Sequence, residues 1–197
     1  MSDVISVMIA GVGGQGTVLA SKILSLVAMK AGLDVKQSEI HGMSQRGGSV
    51  VSHVRFGEKV YSPLVAIGAA DFVIAFEELE ALRCLPYLKA TGQVIVNRQQ
   101  ILPMPVITGA AQYPVDPAAD MVHQGIKTVA IDASGIGQQK GDARAANLVL
   151  LGVLACALPF PDDLWTEAIG VCLRPNLLAM NLEAFQAGRE AAPGQAG

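Results

Sequence analysis

Six residues near the amino terminus, GVGGQG at positions 11–16, have the types and spacing of a phosphate-binding turn. They fit G-x-G-x-x-G between an apolar strand-like run and a helix-like run, which is the setting that a dinucleotide-binding turn requires. In that pattern Gly11 permits the tight turn, Gly13 lets backbone N–H groups approach a phosphate, and Gly16 allows the helix to pack on the strand. Gly14 and Gln15 complete the turn, and a bound anion would lie at the positive end of the helix.

Two interpretations of this turn remain open. Glu39 follows Gly16 by 23 residues, near the spacing of about 20 at which the dinucleotide fingerprint places an acid for the ribose. This spacing favours binding of NAD(P) or FAD. The alternative is a tight strand–helix turn that binds no dinucleotide. Gln15 favours the alternative, because its amide can both donate to and accept from a neighbouring loop or subunit.

A second candidate lies in the segment HGMSQRGG, residues 41–48, which interrupts the strand pattern and is predicted to be a loop. Its candidate binding residues are Ser44, Arg46, Gly47 and Gly48. Arg46 presents a five-donor guanidinium to a carboxylate or a phosphate from flexible backbone. Loops that follow the strands of an α/β sheet meet at its carboxyl edge, so Arg46 and Gln15 are expected to share one crevice. The alternative is that Arg46 pairs with Glu39, or with an acid of a partner chain, and only orders the loop.

Residue types that catalyse reactions are sparse. His41, in the loop, is the more open candidate for acid–base chemistry. His53 lies in an alternating run, where a surface or pairing role is expected. Ser44 and Ser49 have no evident base nearby in the sequence, and no histidine–carboxylate–nucleophile arrangement follows from the spacing. The sequence therefore predicts a pocket without catalytic residues of its own.

The three cysteines, Cys84, Cys156 and Cys172, are far apart and form no C-x-x-C pair. An iron–sulfur cluster requires four closely spaced thiolates, and a structural zinc site requires paired ligands. Each cysteine lies in an apolar stretch, so all three are predicted to be buried core thiols. No metal site is predicted in this chain.

The composition limits the classes of partner. Hydrophobic residues make up 51% of the 197 residues and charged residues 16%, which allows a large core and an interface as well. The formal net charge of −3, without a basic stretch, argues against nucleic acid. No apolar run reaches the length of a membrane span. The amino terminus has neither a basic region nor a small-residue cleavage site, so a cytoplasmic protein is expected.

Apolar periodicity predicts alternating strands and helices. The strands are predicted at 4–10, 33–40, 49–57, 71–76, 92–97 and 128–133, and the helices at 17–30, 77–88, 143–158, 161–172 and 175–191. Two less regular segments are expected: a hairpin arm at 58–63, and a meandering connection over 98–127 with one short strand near 105–108.

The first two strands and the helix between them read as a βαβ unit. The predicted fold is therefore α/β and Rossmann-like, a doubly wound, mostly parallel sheet with helices on both faces. We expect a single domain over residues 1–190 and a disordered tail over 191–197.

Several segments together resemble a known family. In chain order they are AGVGGQGTVLASKIL, SEIHGMSQRGGSVVSHVRFG, YSPLV with GAADFVIAFEELEALR, GQVIVN, DARAANLVLLG and NLEAFQAG. They resemble the gamma-type domain of the 2-oxoacid:ferredoxin oxidoreductases. The similarity covers most of residues 4–188 and is least diagnostic over 98–127. HGMSQRGG favours the indolepyruvate branch, in which the small subunit is called beta.

This resemblance implies a role as the small subunit of a thiamine-diphosphate-dependent enzyme that oxidatively decarboxylates aryl pyruvates to aryl-acetyl-CoA. Thiamine diphosphate, Mg and the 4Fe-4S clusters would belong to the large alpha subunit, with CoA as co-substrate and ferredoxin as electron acceptor. The glycine turn and residues 44–48 would face the active-site region of the alpha subunit and the CoA. The isolated chain would bind no cofactor firmly and would be inactive.

Two functions compete with this implication. One is a stand-alone NAD(P)-dependent dehydrogenase, which the glycine fingerprint and Glu39 favour. The other is a regulatory nucleotide-binding module that binds AMP or ATP and has no stable large-subunit partner. Either function would use the same glycine turn.

Overall fold

The computed structural model describes residues 4–42 and 48–193, and this part of the chain contains one six-stranded sheet with helices on both faces. The strands are β1 (Ile5–Val12), β2 (Asp34–His41), β3 (Ser49–Gly57), β4 (Ala70–Ala75), β5 (Leu88–Asn97) and β6 (Lys127–Ile131). The α-helices are α1 (Thr17–Lys30), α2 (Glu78–Cys84), α3 (Met104–Ile107), α4 (Pro117–His123), α5 (Ala133–Gln139), α6 (Ala146–Ala155), α7 (Asp162–Cys172) and α8 (Pro175–Glu190). Short 3-10 turns span Leu85–Tyr87 and Ala143–Ala145.

The strand order is β2-β3-β1-β4-β5-β6. β1, β4, β5 and β6 are parallel to one another, whereas β3 is antiparallel to both of its neighbours, β1 and β2. The prediction of a mostly parallel α/β sheet is confirmed. The predicted βαβ unit is present, since β1 and β2 are both antiparallel to β3 and therefore parallel to each other, but β3 is inserted between its two strands. The connection from β2 to β3 is too short for a parallel crossover, which needs a dozen or more residues.

This strand order also changes the expected burial. β3 was predicted to be half-exposed, but it is an interior strand and most of its residues are buried. β2 is the edge strand, and its second half is largely exposed. If β1 and β2 were neighbours in the sheet, β2 would be expected in its interior. Because β3 lies between them, β2 is instead the exposed edge strand.

The sheet separates two cores, because successive side chains of a strand point to opposite faces. Val7 and Ile9 of β1 belong to the larger core, beneath α1, α6, α7 and α8; we call this side the packed face. Met8 and Ala10 belong to the smaller core, which includes residues of α2 and α4; we call this side the tethered face. Helices on both faces agree with the predicted doubly wound arrangement.

The middle of the chain differs from the prediction. Residues 58–63 form no strand, and the expected strand near 105–108 is the short helix α3. Helices α4 and α5 were not predicted. Each has an aspartate that accepts a hydrogen bond from a first-turn N–H: Asp116 from Ala119 (3.0 Å) and Asp132 from Gly135 (2.8 Å). These caps were the overlooked helix-start signals.

The two ends of the chain bear on two predictions. Of the predicted disordered tail, residues 194–197 lie outside the described residues, as do residues 1–3. Within the described ranges, none of the helices has the length and apolar character needed to cross a bilayer.

Candidate functional site

The glycine turn connects β1 to α1 at the carboxyl edge of the sheet. Gly14 (φ 106°) and Gly16 (φ 88°) have left-handed backbone, which other residues adopt only with strain. Gly11 still belongs to β1, and a Cβ there would lie 2.9 Å from Thr17 Cγ2 and 3.1 Å from Phe76 Cβ. The expected roles are therefore exchanged: Gly14 and Gly16 make the turn, and Gly11 allows the close packing.

The first turn of α1 has N–H groups that no described side chain caps. Gly16 is the N-cap residue, and among residues 4–42 and 48–193 no side chain caps the helix. The hydrogen bond from Ala20 N–H to the Gly16 carbonyl (3.0 Å) marks the start of the helical pattern. Uncapped N–H groups and the helix dipole give this end of α1 a partial positive charge that favours anions.

A cleft of about 610 Å³ lies on the β2 side of this turn, and we call it the glycine cleft. Its lining residues are Gly13, Gly14, Gly16, Thr17, Val18, Leu19, Lys22, Glu39, His41 and Val50. Lys22, Glu39 and His41 are exposed, so both signs of charge are present at the cleft. Thr17 is buried beneath it.

A smaller cleft of about 220 Å³ lies on the other side of the turn, at the carboxyl ends of β1, β4 and β5. Its lining residues are Gly14, Gln15, Phe76, Asn97, Gln99, Ile101, Ser134, Ala143, Arg144 and Ala146. The chain builds the sheet outward in opposite directions from the β1–β4 junction, and such a switch point is where open α/β sheets bind ligands. We call this second cleft the switch cleft.

A chain of amide groups forms the floor of the switch cleft. Gln15 Nε2 donates to the Phe76 carbonyl (3.2 Å) and to Gln99 Oε1 (2.9 Å). Asn97 Nδ2 donates to the Phe76 carbonyl (3.1 Å), to Gln99 Oε1 (3.2 Å) and to Ser134 Oγ (3.0 Å). These bonds join the glycine turn to the ends of β4 and β5 and to the start of α5.

The structure tests only the Gln15 side of the crevice that Gln15 and Arg46 are expected to share. Gln15 Oε1 accepts from Val12 N–H (2.6 Å), and its Nε2 is directed to the β4–β5 side, away from β2. The expected crevice shared by Gln15 and Arg46 cannot be described from both sides, because Ser44, Arg46 and Gly47 lie outside the described residues. Gly48 is described, and its carbonyl accepts from Gly13 N–H (2.9 Å). Gly48, immediately before β3, therefore lies directly beside the glycine turn.

Glu39 does not have the position of a ribose-binding acid. Its strand, β2, is separated from β1 by β3, so the two strands are about 10 Å apart. The fingerprint places its acid on the strand beside β1. Glu39 still lines the glycine cleft, but it lies farther from the glycine turn than the acid of a dinucleotide-binding fold does.

His53 and Ser49 have partners that the sequence did not reveal. His53 is 4% exposed, its Nδ1 accepts from Val65 N–H (3.0 Å), and burial lowers its pKa. Of the two roles expected for His53, it has the pairing role and not the surface role. Ser49 Oγ donates to Glu80 Oε2 (2.5 Å), which fixes the start of β3. His41 is exposed, as expected.

The cysteines are poor nucleophiles. Cys84 is buried, and desolvation raises its pKa to about 12. Cys156 and Cys172 are half-buried, not fully buried as predicted, and burial raises the pKa of each. Among the described residues, no group of three or more His, Cys, Asp or Glu side chains is placed to hold a metal ion.

Sequence reasoning missed the residues of the switch cleft that come from later strands. Asn97 ends β5, Gln99 follows it, and Ser134 follows β6, so all three lie at carboxyl ends of parallel strands. A search for polar residues directly after each predicted parallel strand would have found them.

Comparisons with known proteins identify relatives along almost the whole chain. Indolepyruvate oxidoreductase subunit IorB of Thermococcus kodakarensis is 40% identical over 192 residues, which are 95% of each chain. The subunit of the same name from Pyrococcus horikoshii is 39% identical, also over 95% of each chain. The crystal structure of a keto/oxoacid ferredoxin oxidoreductase gamma subunit from Geobacter sulfurreducens has the same fold, with a TM-score of 0.70, 23% identity, and coverage of 95% of this chain and 98% of that one.

The family comparison agrees with these relatives. The sequence model described as pyruvate ferredoxin/flavodoxin oxidoreductase matches residues 6–191. The match spans the glycine turn, both clefts and the helices of both faces, so the resemblance identified in the sequence is confirmed. The chain belongs to the pyruvate ferredoxin/flavodoxin oxidoreductase family.

Proposed function

We propose that this chain is the small subunit of an indolepyruvate oxidoreductase, which oxidatively decarboxylates aryl pyruvates to aryl-acetyl-CoA and passes the electrons to ferredoxin. The observation that carries the proposal is the identity of 40% with subunit IorB of Thermococcus kodakarensis over 95% of both chains. The proposal places the enzyme in the cytoplasm. The proposed substrate rests on this similarity alone.

The proposal assigns the reacting groups to a large alpha subunit. Cys84 is a buried thiol with a raised pKa, and the described residues contain no group of three or more metal-ligating side chains. In the proposed division of roles, thiamine diphosphate, Mg and the 4Fe-4S clusters belong to the partner. This chain would pack against the alpha subunit and form part of the wall of its active site.

A neutral apolar segment at the carboxyl edge supports such docking. Leu102, Met104, Ile107 and Val115 are 50%, 66%, 61% and 96% exposed. Residues 99–115 contain no charged side chain. Contiguous exposed apolar surface of this kind marks protein–protein contacts. We assign this segment to the interface with the alpha subunit, beside the two clefts.

The glycine cleft is the part of this chain that suits CoA. The uncapped first turn of α1 and the ammonium group of Lys22 favour phosphate groups. The residues proposed to face CoA or the partner are Gly11, Gly13, Gly14, Gln15, Gly16, Ser44, Arg46, Gly47 and Gly48. When bound, CoA supplies the thiol that accepts the acyl group.

Reconstitution tests the proposed function. The chain and its large subunit would be purified together and separately, and ferredoxin reduction would be measured with indolepyruvate and CoA. We expect turnover only when both chains are present. Turnover by this chain alone would contradict the division of roles. Heat released on titration with NAD+, NADH or NADP+ at millimolar concentration would instead favour the dehydrogenase.

A pair of matched variants tests the docking segment. Ile107→Asp introduces a charge at an exposed apolar position of the segment, and Val171→Asp does the same on α7, where Val171 is 68% exposed. We expect Ile107→Asp to weaken the complex by at least about tenfold, because the charge would be desolvated against an apolar partner. The measurement is co-purification and light scattering. Equal binding by both variants would remove the segment from the interface.

A further inference from the structure

The hydrogen-bond donors and acceptors of the switch cleft point to a ligand that has not been assigned. Its side-chain amide oxygens and the Phe76 carbonyl are all occupied as acceptors by groups of this chain. Gln15 Oε1 accepts from Val12 N–H, and Gln99 Oε1 accepts from both Gln15 and Asn97. Asn97 Oδ1 accepts from the backbone N–H of Ser134 (3.3 Å). Each of these oxygens thus already accepts at least one hydrogen bond from this chain.

Backbone groups fix the orientation of these amides. The Phe76 carbonyl can only accept, so Gln15 Nε2 and Asn97 Nδ2 must be the atoms that face it. Both amides then direct N–H groups at Gln99, whose oxygen must face them. Gln99 Nε2, with two N–H bonds, is therefore directed away from the amide chain.

Donors, in contrast, are left over at the cleft. Gln99 Nε2, the hydroxyl hydrogen of Ser134 and the N–H of Gly14 meet no acceptor among residues 4–42 and 48–193. Arg144 uses Nε and Nη2 on Asp142, which leaves Nη1. No carboxylate side chain lines the cleft. Each of these unpaired groups is a hydrogen-bond donor that requires an acceptor.

The walls and the size restrict what the acceptor belongs to. Ile101, Ala143 and Ala146 provide apolar surface around the donors. The volume of about 220 Å³ is below the range of about 300–1,000 Å³ that holds drug-sized ligands. The occupant is therefore small, with one acceptor-rich end and a short apolar end.

We propose that the switch cleft binds a small monocarboxylate with a short apolar tail. Its carboxylate would accept from Gln99 Nε2, Ser134 Oγ and Arg144, and its tail would lie against Ile101 and Ala143. A carboxylate provides about four lone-pair sites and no donor, which matches the unpaired donors of the cleft. The inference uses the geometry of this chain alone and is independent of the proposed function.

Butanoate and its neutral isostere butanamide test the inference on the full chain. The chain would be labelled with ¹⁵N and titrated with each compound, and the amide signals would be followed by NMR. We expect butanoate to shift the side-chain amide of Gln99 and the backbone signal of Gly14 in a saturable manner. We expect butanamide and inorganic phosphate to bind at least about tenfold more weakly, because the first lacks the charge and the second lacks the tail.

Two charge-matched variants complete the test. Arg144→Gln removes the guanidinium without altering the amide chain, and Arg174→Gln removes an exposed arginine outside the lining of the cleft. We expect about tenfold weaker butanoate binding for Arg144→Gln and unchanged binding for Arg174→Gln. Equal affinity for butanoate and butanamide, tighter binding of phosphate, no saturable shift, or no effect of Arg144→Gln would each overturn the proposal.

Discussion

The two faces of the sheet are covered in different ways. On the packed face, α6 crosses α8 at Gly152 and Gly188, and a Cβ on either glycine would overlap a backbone carbonyl of the other helix. Trp165 is fully buried there and packs against Phe160 and Phe185, with ring centroids 6.3 and 5.5 Å apart. This face is stabilised by close apolar contact, which tolerates little change of volume.

The tethered face is stabilised by buried polar groups. Glu77 is 1% exposed and accepts from the N–H groups of Glu80 (2.9 Å) and Ile101 (3.0 Å) and from the Tyr113 hydroxyl. Burial and the Glu77 carboxylate raise the pKa of Tyr113. The Glu78 carboxylate accepts from Gln100 Nε2 (2.9 Å), which lies in the segment that follows β5. Hydrogen bonds therefore hold the irregular segment that follows β5, where apolar packing is thin.

The difference between the two faces bears on function. Glu80 of α2 holds the start of β3 through Ser49, and Glu77, the residue before α2, holds the connection that bears the exposed apolar segment. The packed face holds α1 and α6 at the clefts by apolar contact, whereas the tethered face positions the connection after β5 by hydrogen bonds. Substitutions on the two faces should therefore differ in kind as well as in size.

The largest effect is expected on the packed face. Gly152→Val would drive α6 away from α8, because the added carbons would meet the Phe185 carbonyl. We expect a loss of about 3 kcal/mol in the free energy of unfolding, measured by urea denaturation. The control is Gly170→Ala in α7, where nothing lies within 4 Å of the added Cβ. It should stabilise the chain by about 0.5–1 kcal/mol. A mild Gly152→Val would show that this face is loosely packed.

A smaller and more local effect is expected on the tethered face. Glu77→Ala leaves the buried N–H groups of Glu80 and Ile101 without their acceptor, at a cost of about 2 kcal/mol. Hydrogen exchange should rise most in the connection after β5. Glu183→Ala, at an exposed position of α8, should change stability by less than about 0.5 kcal/mol. Exchange that rises equally on both faces would contradict the comparison.

The smallest effect is a pH dependence that originates at His53. Burial lowers its folded pKa below the ordinary 6.5, so the unfolded chain takes up the proton first. Stability is then complete above pH 6.5 and falls as the pH drops below it, by no more than about 1.4 kcal/mol per pH unit. His53→Asn should flatten this decline in unfolding experiments between pH 7 and 5. His123→Asn, at an exposed position of α4, should leave the decline unchanged.

Much of the fold could be predicted because it rests on local pattern. The runs of β1 and α1 and the apolar run of α6 have periods that specify strand or helix within a few turns. The glycine turn was found for the same reason, since its left-handed positions require a particular residue type. The middle of the chain was less predictable because α4 and α5 are short and depend on single aspartate caps.

The sequence by itself determined the α/β class, the glycine turn and the family, because each is written in contiguous residues. Only the tertiary structure decided that β3 lies between β1 and β2, which moves Glu39 away from the turn and buries His53. It also decided the switch cleft, since Gln15 and Gln99 are 84 positions apart and no local period brings them together. The order of strands in the sheet made these contacts, and that order depends on the packing of the whole chain.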